Sequence, residues 1–298
     1  MIVMNECMLC PRYCMVNREC GQLGYCGCGK DMVIARYSLH MWEEPCISGS
    51  KGSGTIFFSG CNLKCIFCQN YDISNSIKGK IVSIEEFSDI CIKLQDRGAN
   101  NINLVTGTMY IPLIVKGIKL AKRKGLNIPI IYNTSGYDSI EGINMLDGIV
   151  DVYLPDLKYY SDKLSIKYSK CNNYFKYASM AIDEMYNQVG KPIMDDNGII
   201  KRGVIVRHMM LPNNGNDSKK ILKYLYDKYK DNIIISVMNQ YTPIRYLDYE
   251  ELNHKVTNYE YDSVINYAYD LGVRNAYIQD DNTQRDSFIP DFNTFDGL

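Results

Sequence analysis

Three cysteines in one short stretch carry the strongest chemical signal in this sequence. Within Gly60-Cys61-Asn62-Leu63-Lys64-Cys65-Ile66-Phe67-Cys68-Gln69-Asn70 they stand at the spacing C-x3-C-x2-C. Thiolates are the usual protein ligands of iron–sulfur clusters, and a cubane normally takes four. Three local thiols with no obvious fourth nearby suggest an iron with an open position. Such a position is available to a small molecule, as the free site of a catalytic zinc is. The blander readings are a closed site that borrows a fourth ligand from upstream, and three buried cysteines of no special role.

A second group of thiols lies upstream. Cys7, Cys10, Cys14, Cys20, Cys26, Cys28 and Cys46 make up seven of the twelve cysteines, and beyond the triad only Cys91 and Cys171 remain. The run Cys7-x2-Cys10-x3-Cys14 is too dense for chance. In a reducing compartment such thiols are more readily metal ligands than disulfide partners. Zinc, an auxiliary iron–sulfur cluster and a metal-free thiol cluster all fit, with Cys7, Cys10, Cys14 and Cys26 as the best four ligands. Gly21 and Gly24 would let the intervening chain fold back, and zinc would contribute folding energy to so small a segment. Cys46 is a candidate for a reactive role, whereas Cys91 and Cys171 read as core or surface thiols.

The elements that must position the triad follow from hydrophobic patterning. Apolar, β-branched bursts at 55–59, 101–106, 129–133, 150–154, 203–209, 233–238 and 275–278 read as strands buried on both faces. Between them, 84–97, 111–123, 140–146, 180–189, 219–228 and 261–271 read as helices, the first opened by a capping box of Ser83 and Glu86. Repeated β-then-α units predict a parallel sheet, open or closed into a barrel, with its site at the carboxyl ends of the strands. The triad follows the first strand, and Thr106-Gly107-Thr108, Asn133-Thr134-Ser135-Gly136 and Asp156-Leu157-Lys158 follow later ones. Residues 1–50 read as a Cys-rich segment joined through a turn-rich stretch at 48–54 to a main domain of 51–298.

Composition narrows the function classes. The 298 residues are 46% hydrophobic and 22% charged, with a formal net charge of −1, ordinary values for a globular protein. No single-sign run points to nucleic acid or an anionic membrane as partner. No apolar stretch approaches the roughly 18 residues of a membrane span, and the first ten residues do not read as a signal peptide. A cytoplasmic location is therefore expected.

Cys61-x3-Cys65-x-Phe67-Cys68 resembles the CxxxCxΦC signature of the radical S-adenosylmethionine (SAM) superfamily, with an aromatic before the last cysteine. Finer features resemble the PflX-like branch related to pyruvate formate-lyase activating enzyme. They include Phe57-Phe58-Ser59-Gly60-Cys61-Asn62-Leu63, Arg207-His208 before Leu211-Pro212, and Gln240-Tyr241-Thr242-Pro243. The resemblance covers nearly the whole chain. It implies an α/β fold, a partial (β/α)6 TIM-like barrel with a small Cys-rich N-terminal extension. It also implies a [4Fe–4S] cluster on Cys61, Cys65 and Cys68, with SAM on the open iron.

Residue by residue, the resemblance puts Phe67 near the adenine and Gly107 and Thr108 at the position of the family's Gly-Gly-Glu-Pro motif. Asn133 and Ser135 fall where activating enzymes carry Asp-Thr-Asn-Gly, Asp156 and Lys158 near the methionine moiety, and Arg207 near the cofactor. Both the second- and third-strand motifs lack their usual acid here. The implied chemistry is reductive SAM cleavage fed by a low-potential donor such as flavodoxin or ferredoxin, acting on a protein, peptide or small molecule. One such target is a glycyl-radical enzyme. Asp156 with Lys158 also reads as an ordinary ion pair, His208 as a hydrogen-bonded core histidine, and the whole chain as a non-enzymatic iron–sulfur or zinc electron carrier or redox sensor.

Overall fold

The computed structural model describes residues 6–279 and 292–297. Its strands are β1 (Met32–His40), β2 (Ser53–Phe58), β3 (Lys80–Val82), β4 (Ile102–Val105), β5 (Ile130–Thr134), β6 (Val152–Pro155), β7 (Ile193–Met194), β8 (Ile200–Met209), β9 (Ile234–Met238), β10 (Ala276–Ile278) and β11 (Asp296–Gly297). The helices are α1 (Pro45–Ser48), α2 (Tyr71–Asn75), α3 (Ile84–Asp96), α4 (Ile111–Arg123), α5 (Ile140–Asn144), α6 (Asp162–Ser169), α7 (Tyr174–Val189), α8 (Gly215–Tyr229) and α9 (Asn258–Leu271).

Strands β2, β4, β5, β6, β8, β9 and β10 pair in that order, all parallel. Every residue of β2, β5, β6 and β9 is buried. That is the pattern of strands covered on both faces, and it explains their near-continuous apolar runs. The sheet stays open, because β2 pairs on its other side with antiparallel β1. The seven strand bursts and six helices anticipated from sequence all form, and α7 begins at Tyr174, six residues before the stretch expected. Ser83 and Glu86 make the reciprocal capping box that starts α3.

Two features were not anticipated. β1 lies within the N-terminal stretch and belongs to the main sheet, which brings the β1–α1 loop over the strand ends. The 48–54 stretch holds the end of α1 and the start of β2. Among the described residues no helix is long and apolar enough to cross a membrane.

His208 on β8 shows how this core handles a polar side chain. Its Nδ1 lies 2.8 Å from the Leu157 carbonyl oxygen and must donate to it; Nε2, 2.8 Å from Ser218 Oγ, accepts. The ring is neutral, and burial pushes its pKa down to about 4. In the unfolded chain it titrates near about 6.5, so the unfolded state binds the extra proton between those values. Stability from this group is full above about 6.5 and is lost as pH falls towards 4, with about 2 kcal/mol gone by pH 5. Denaturant midpoints at pH 7 and pH 5 check this: the wild type should lose more on acidification than His208→Gln, and parallel losses would discard the assignment.

Candidate active site

The carboxyl ends of the parallel strands enclose a cavity of about 210 Å³. Cys61, Cys65 and Cys68 all line it, from the loop that leaves β2. Local bonds hold that loop: the Gly60 N–H donates to the Ile73 carbonyl (2.7 Å), the Ile66 N–H to Tyr168 (2.9 Å) and the Cys68 N–H to Cys65 (3.2 Å). Two donors reach the sulfurs, the Leu63 N–H on Cys61 Sγ at 3.4 Å and the Ser169 hydroxyl on Cys65 Sγ at 3.0 Å. Burial pushes the Cys61 thiol up to about 12, and the neighbouring Cys65 and Cys68 push the same way. Burial raises the Cys68 thiol as well, so without a cation Cys61 and Cys68 are held protonated, and taking up iron and shedding protons are one event.

Among the described residues no fourth cysteine lines this cavity. Nor do any three His, Cys, Asp or Glu side chains there converge as ligands of a single ion. A cubane asks for something wider, because each thiolate takes a different iron. Three thiols around one cavity, two of them already holding N–H or O–H donors of the kind that tune cluster sulfurs, fit that group.

Gly60 decides how the loop starts. Its φ is +87°, and a Cβ there would lie 2.3 Å from Cys28 Sγ and 3.0 Å from the Cys26 carbonyl oxygen. Gly60→Ala is expected to cost roughly 1–3 kcal/mol through backbone strain and to push the N-terminal segment off the triad. Denaturation and the iron content of anaerobically purified protein would check both; a variant as stable and as iron-rich as the wild type refutes the claim.

The same cavity holds a charged network. Arg207 donates from Nε to Asp156 Oδ1 (3.0 Å), from Nη1 to Glu43 Oε2 (3.1 Å) and from Nη2 to Asn133 Oδ1 (2.5 Å). Lys158 Nζ meets Asp156 Oδ2 at 2.5 Å. Burial by itself would raise the Asp156 carboxyl, but Lys158 and Arg207 outweigh it and hold it below the usual carboxylate range. Burial likewise opposes the Lys158 ammonium, and Asp156 and Cys65 together hold its pKa above the ordinary lysine value. Burial raises Glu43, with Arg207 acting against it. A buried charge survives only with such partners.

Most of the anticipated residues meet here. Phe67, Asn133, Ser135, Asp156, Lys158 and Arg207 line the same cavity as the triad. Phe67 is walled by Tyr159, Tyr168 and Tyr241 in edge-to-face contacts near 6 Å. Gly107 and Thr108 are not brought in. Thr106 has a φ of +59°, and the turn that follows sends Thr108 into the core, where its hydroxyl donates to buried Asp138 at 2.7 Å. Gly107 sits beneath Ile114 and Phe58, and Thr106 takes the cavity position instead. Sequence reasoning missed Glu43, whose carboxylate also accepts from Asn103 Nδ2 at 2.9 Å. The apolar burst of β1 was the signal that could have found it.

The N-terminal cysteines form a second cluster of thiols. Cys10 is half-buried, and its thiol is pushed up to about 12 by desolvation, with Cys26, Cys7 and Cys14 adding to the rise. Cys28 abuts the start of the triad loop, its sulfur 3.4 Å from the Ser59 carbonyl oxygen. Arg12 clamps the segment onto the barrel, donating to the carbonyls of Asn62 (2.9 Å), Lys170 (2.7 Å) and Ser169 (3.2 Å).

Residues 55–252 match the family model of the radical SAM superfamily. The chain is 31% identical over 277 residues to an uncharacterized protein of Methanocaldococcus jannaschii, covering 89% of this chain and 75% of that one. It is 28% identical over 137 residues to the pyruvate formate-lyase-activating enzyme of Clostridium pasteurianum, covering 44% of this chain and 56% of the enzyme. Its fold resembles that of Streptococcus suis SuiB bound to S-adenosylmethionine, with a TM-score of 0.50 and 12% identity over 75% of this chain and 49% of that one. The chain thus spans about half the length of the last two. With the family model running from β2 to beyond the last cavity-lining strand, this chain belongs to the radical SAM superfamily and is related to pyruvate formate-lyase-activating enzyme.

Proposed function

We propose that the protein cleaves SAM reductively to start radical chemistry, with a [4Fe–4S] cluster held by Cys61, Cys65 and Cys68. The observation that carries this reading is that three thiols from one loop share a 210 Å³ cavity with a network of largely, not fully, buried charged groups. An electron carrier needs no such chamber. When bound, the cluster supplies the electron that splits the SAM sulfonium into methionine and a 5′-deoxyadenosyl radical, which takes a hydrogen atom from the substrate.

The chain's own residues bind, orient and exclude water. Glu43 provides the carboxylate missing from the strand-end motifs and receives the ammonium of SAM. Lys158 and Arg207 are cations for its carboxylate, with Asp156 fixing both. Asn133 and Ser135 offer polar contacts, and Phe67 with its tyrosine wall keeps water from the adenine side. The partial match to an activating enzyme supports a glycine backbone on a partner protein as hydrogen donor. A reduced flavodoxin or ferredoxin would feed the electron, in an anaerobic cytoplasm.

The test is anaerobic: protein reconstituted with iron and sulfide, reduced with dithionite and given SAM. The expected result is 5′-deoxyadenosine and methionine in equal amounts. Full cluster loading with neither SAM binding nor cleavage would favour the carrier.

A further inference from the structure

We infer that Cys7, Cys10, Cys14 and Cys26 form a second site that takes a [4Fe–4S] cluster, with Arg18 as its buried counter-cation. Arg18 is 2% exposed. Its Nη1 donates to the carbonyls of Cys28 (2.9 Å) and Gly29 (3.2 Å), and its Nη2 to the sulfurs of Cys7 (3.2 Å) and Cys26 (3.4 Å). Nε has no hydrogen-bond partner, and among the described residues no carboxylate pairs with this guanidinium. A buried cation without an anion is costly. Four thiolates around a cubane carry the compensating negative charge, and the guanidinium already points at two of the sulfurs.

The backbone agrees with a ligand at this place. The Tyr25 N–H donates to Cys14 Sγ at 3.4 Å, a contact of the kind that tunes cluster sulfurs. Gly24 keeps the middle clear, since a Cβ there would lie 3.2 Å from Arg18 Nη2, 3.3 Å from Cys26 Sγ and 3.7 Å from Cys14 Sγ. A side chain at this position would therefore press on the cation and on Cys26 Sγ, and would touch Cys14 Sγ at ordinary contact distance.

The donor spacing favours a cluster over zinc. Structural zinc takes two pairs of ligands, whereas a cluster takes a tight run plus a remote cysteine. Here Cys7-x2-Cys10-x3-Cys14 is the run and Cys26 the remote member.

The site also abuts the first one. Cys26 leads through Gly27 to Cys28, whose sulfur meets the Ser59 carbonyl just before Gly60-Cys61. On the other side Cys10 leads to Arg12, which holds the Ser169 carbonyl, and the Ser169 hydroxyl is on Cys65. Two short covalent and hydrogen-bonded connections thus join the thiol groups.

Metal analysis with Mössbauer spectroscopy of the anaerobic full-length protein tests the inference. The expected result is about eight irons and no zinc per chain, four for each cubane. Four irons, with or without one zinc, would overturn it. The variant carrying Cys61→Ser, Cys65→Ser and Cys68→Ser isolates the second site from the first, so a failure of the SAM reading does not touch this outcome. It should keep about four irons in a cubane, and Cys10→Ser with Cys14→Ser added should remove them; iron that ignores these two cysteines refutes the ligand set. Within the triad-less protein, Arg18→Gln should shift the cluster's midpoint potential to more negative values and Arg18→Lys should restore it. An unchanged potential would discard Arg18 as the counter-cation.

Discussion

Cys65→Ala is expected to abolish 5′-deoxyadenosine formation. Enzymes gain upward of about a millionfold over the uncatalysed reaction, so losing a ligand of the group that carries the chemistry should cost at least roughly a thousandfold. Two controls separate this loss from simple misfolding. Cys171 is also fully buried but lies outside the cavity, and Cys171→Ala should keep SAM cleavage while losing some stability. Ser169→Ala removes the 3.0 Å hydroxyl contact on Cys65 Sγ and leaves the thiol in place. That variant should retain the cluster and cleavage with an altered midpoint potential, since hydrogen bonds to sulfur tune clusters. A Cys65→Ala protein that still makes 5′-deoxyadenosine at the wild-type rate would remove the triad from the mechanism.

Most of the strands were legible because they bury both faces, and such a strand writes its position as a near-continuous apolar run. Residues Ile102–Val105 and Ile234–Met238 are plain examples, each interrupted by one polar residue, Asn103 or Ser236. Strand ends then pointed to Asn133, Asp156 and Lys158, because parallel α/β folds place their sites there whatever the chemistry, and Arg207 was named from the family resemblance. What failed was side-chain direction after a strand. The left-handed Thr106 turns the chain so that Thr106, and not Thr108, reaches the cavity, and no periodicity encodes that single dihedral. Glu43 was hidden for another reason: it arrives from a loop ninety residues before its neighbour Asn133 in sequence. Only the antiparallel pairing of β1 with β2 carries it there. Ion pairs between distant segments leave no local pattern, so Arg207, named from the family resemblance, did not lead to its partner Glu43.

Glu43→Gln is expected to weaken SAM binding roughly ten- to hundredfold, the worth of a hydrogen bond to a charged group in a dry site. The substitution keeps the shape and removes the charge. It also leaves one of the two donors, Asn103 Nδ2 or Arg207 Nη1, facing an amide N–H in place of oxygen, so a stability cost of about 1–3 kcal/mol accompanies it. Asn103→Ala separates the two effects, because it strips a support from Glu43 and keeps the carboxylate. If charge is what SAM feels, Asn103→Ala binds nearly as the wild type does while Glu43→Gln does not. The pH dependence gives an independent reading. Burial raises the Glu43 carboxyl, and Arg207 only partly opposes it. Protonation therefore sets in at higher pH than for an ordinary glutamate, and SAM affinity should fall as pH drops through that raised value. In Glu43→Gln the same titration should be flat from this group. Anaerobic equilibrium dialysis with labelled SAM across pH measures both, and equal affinities for wild type and Glu43→Gln at neutral pH would strip Glu43 of its role.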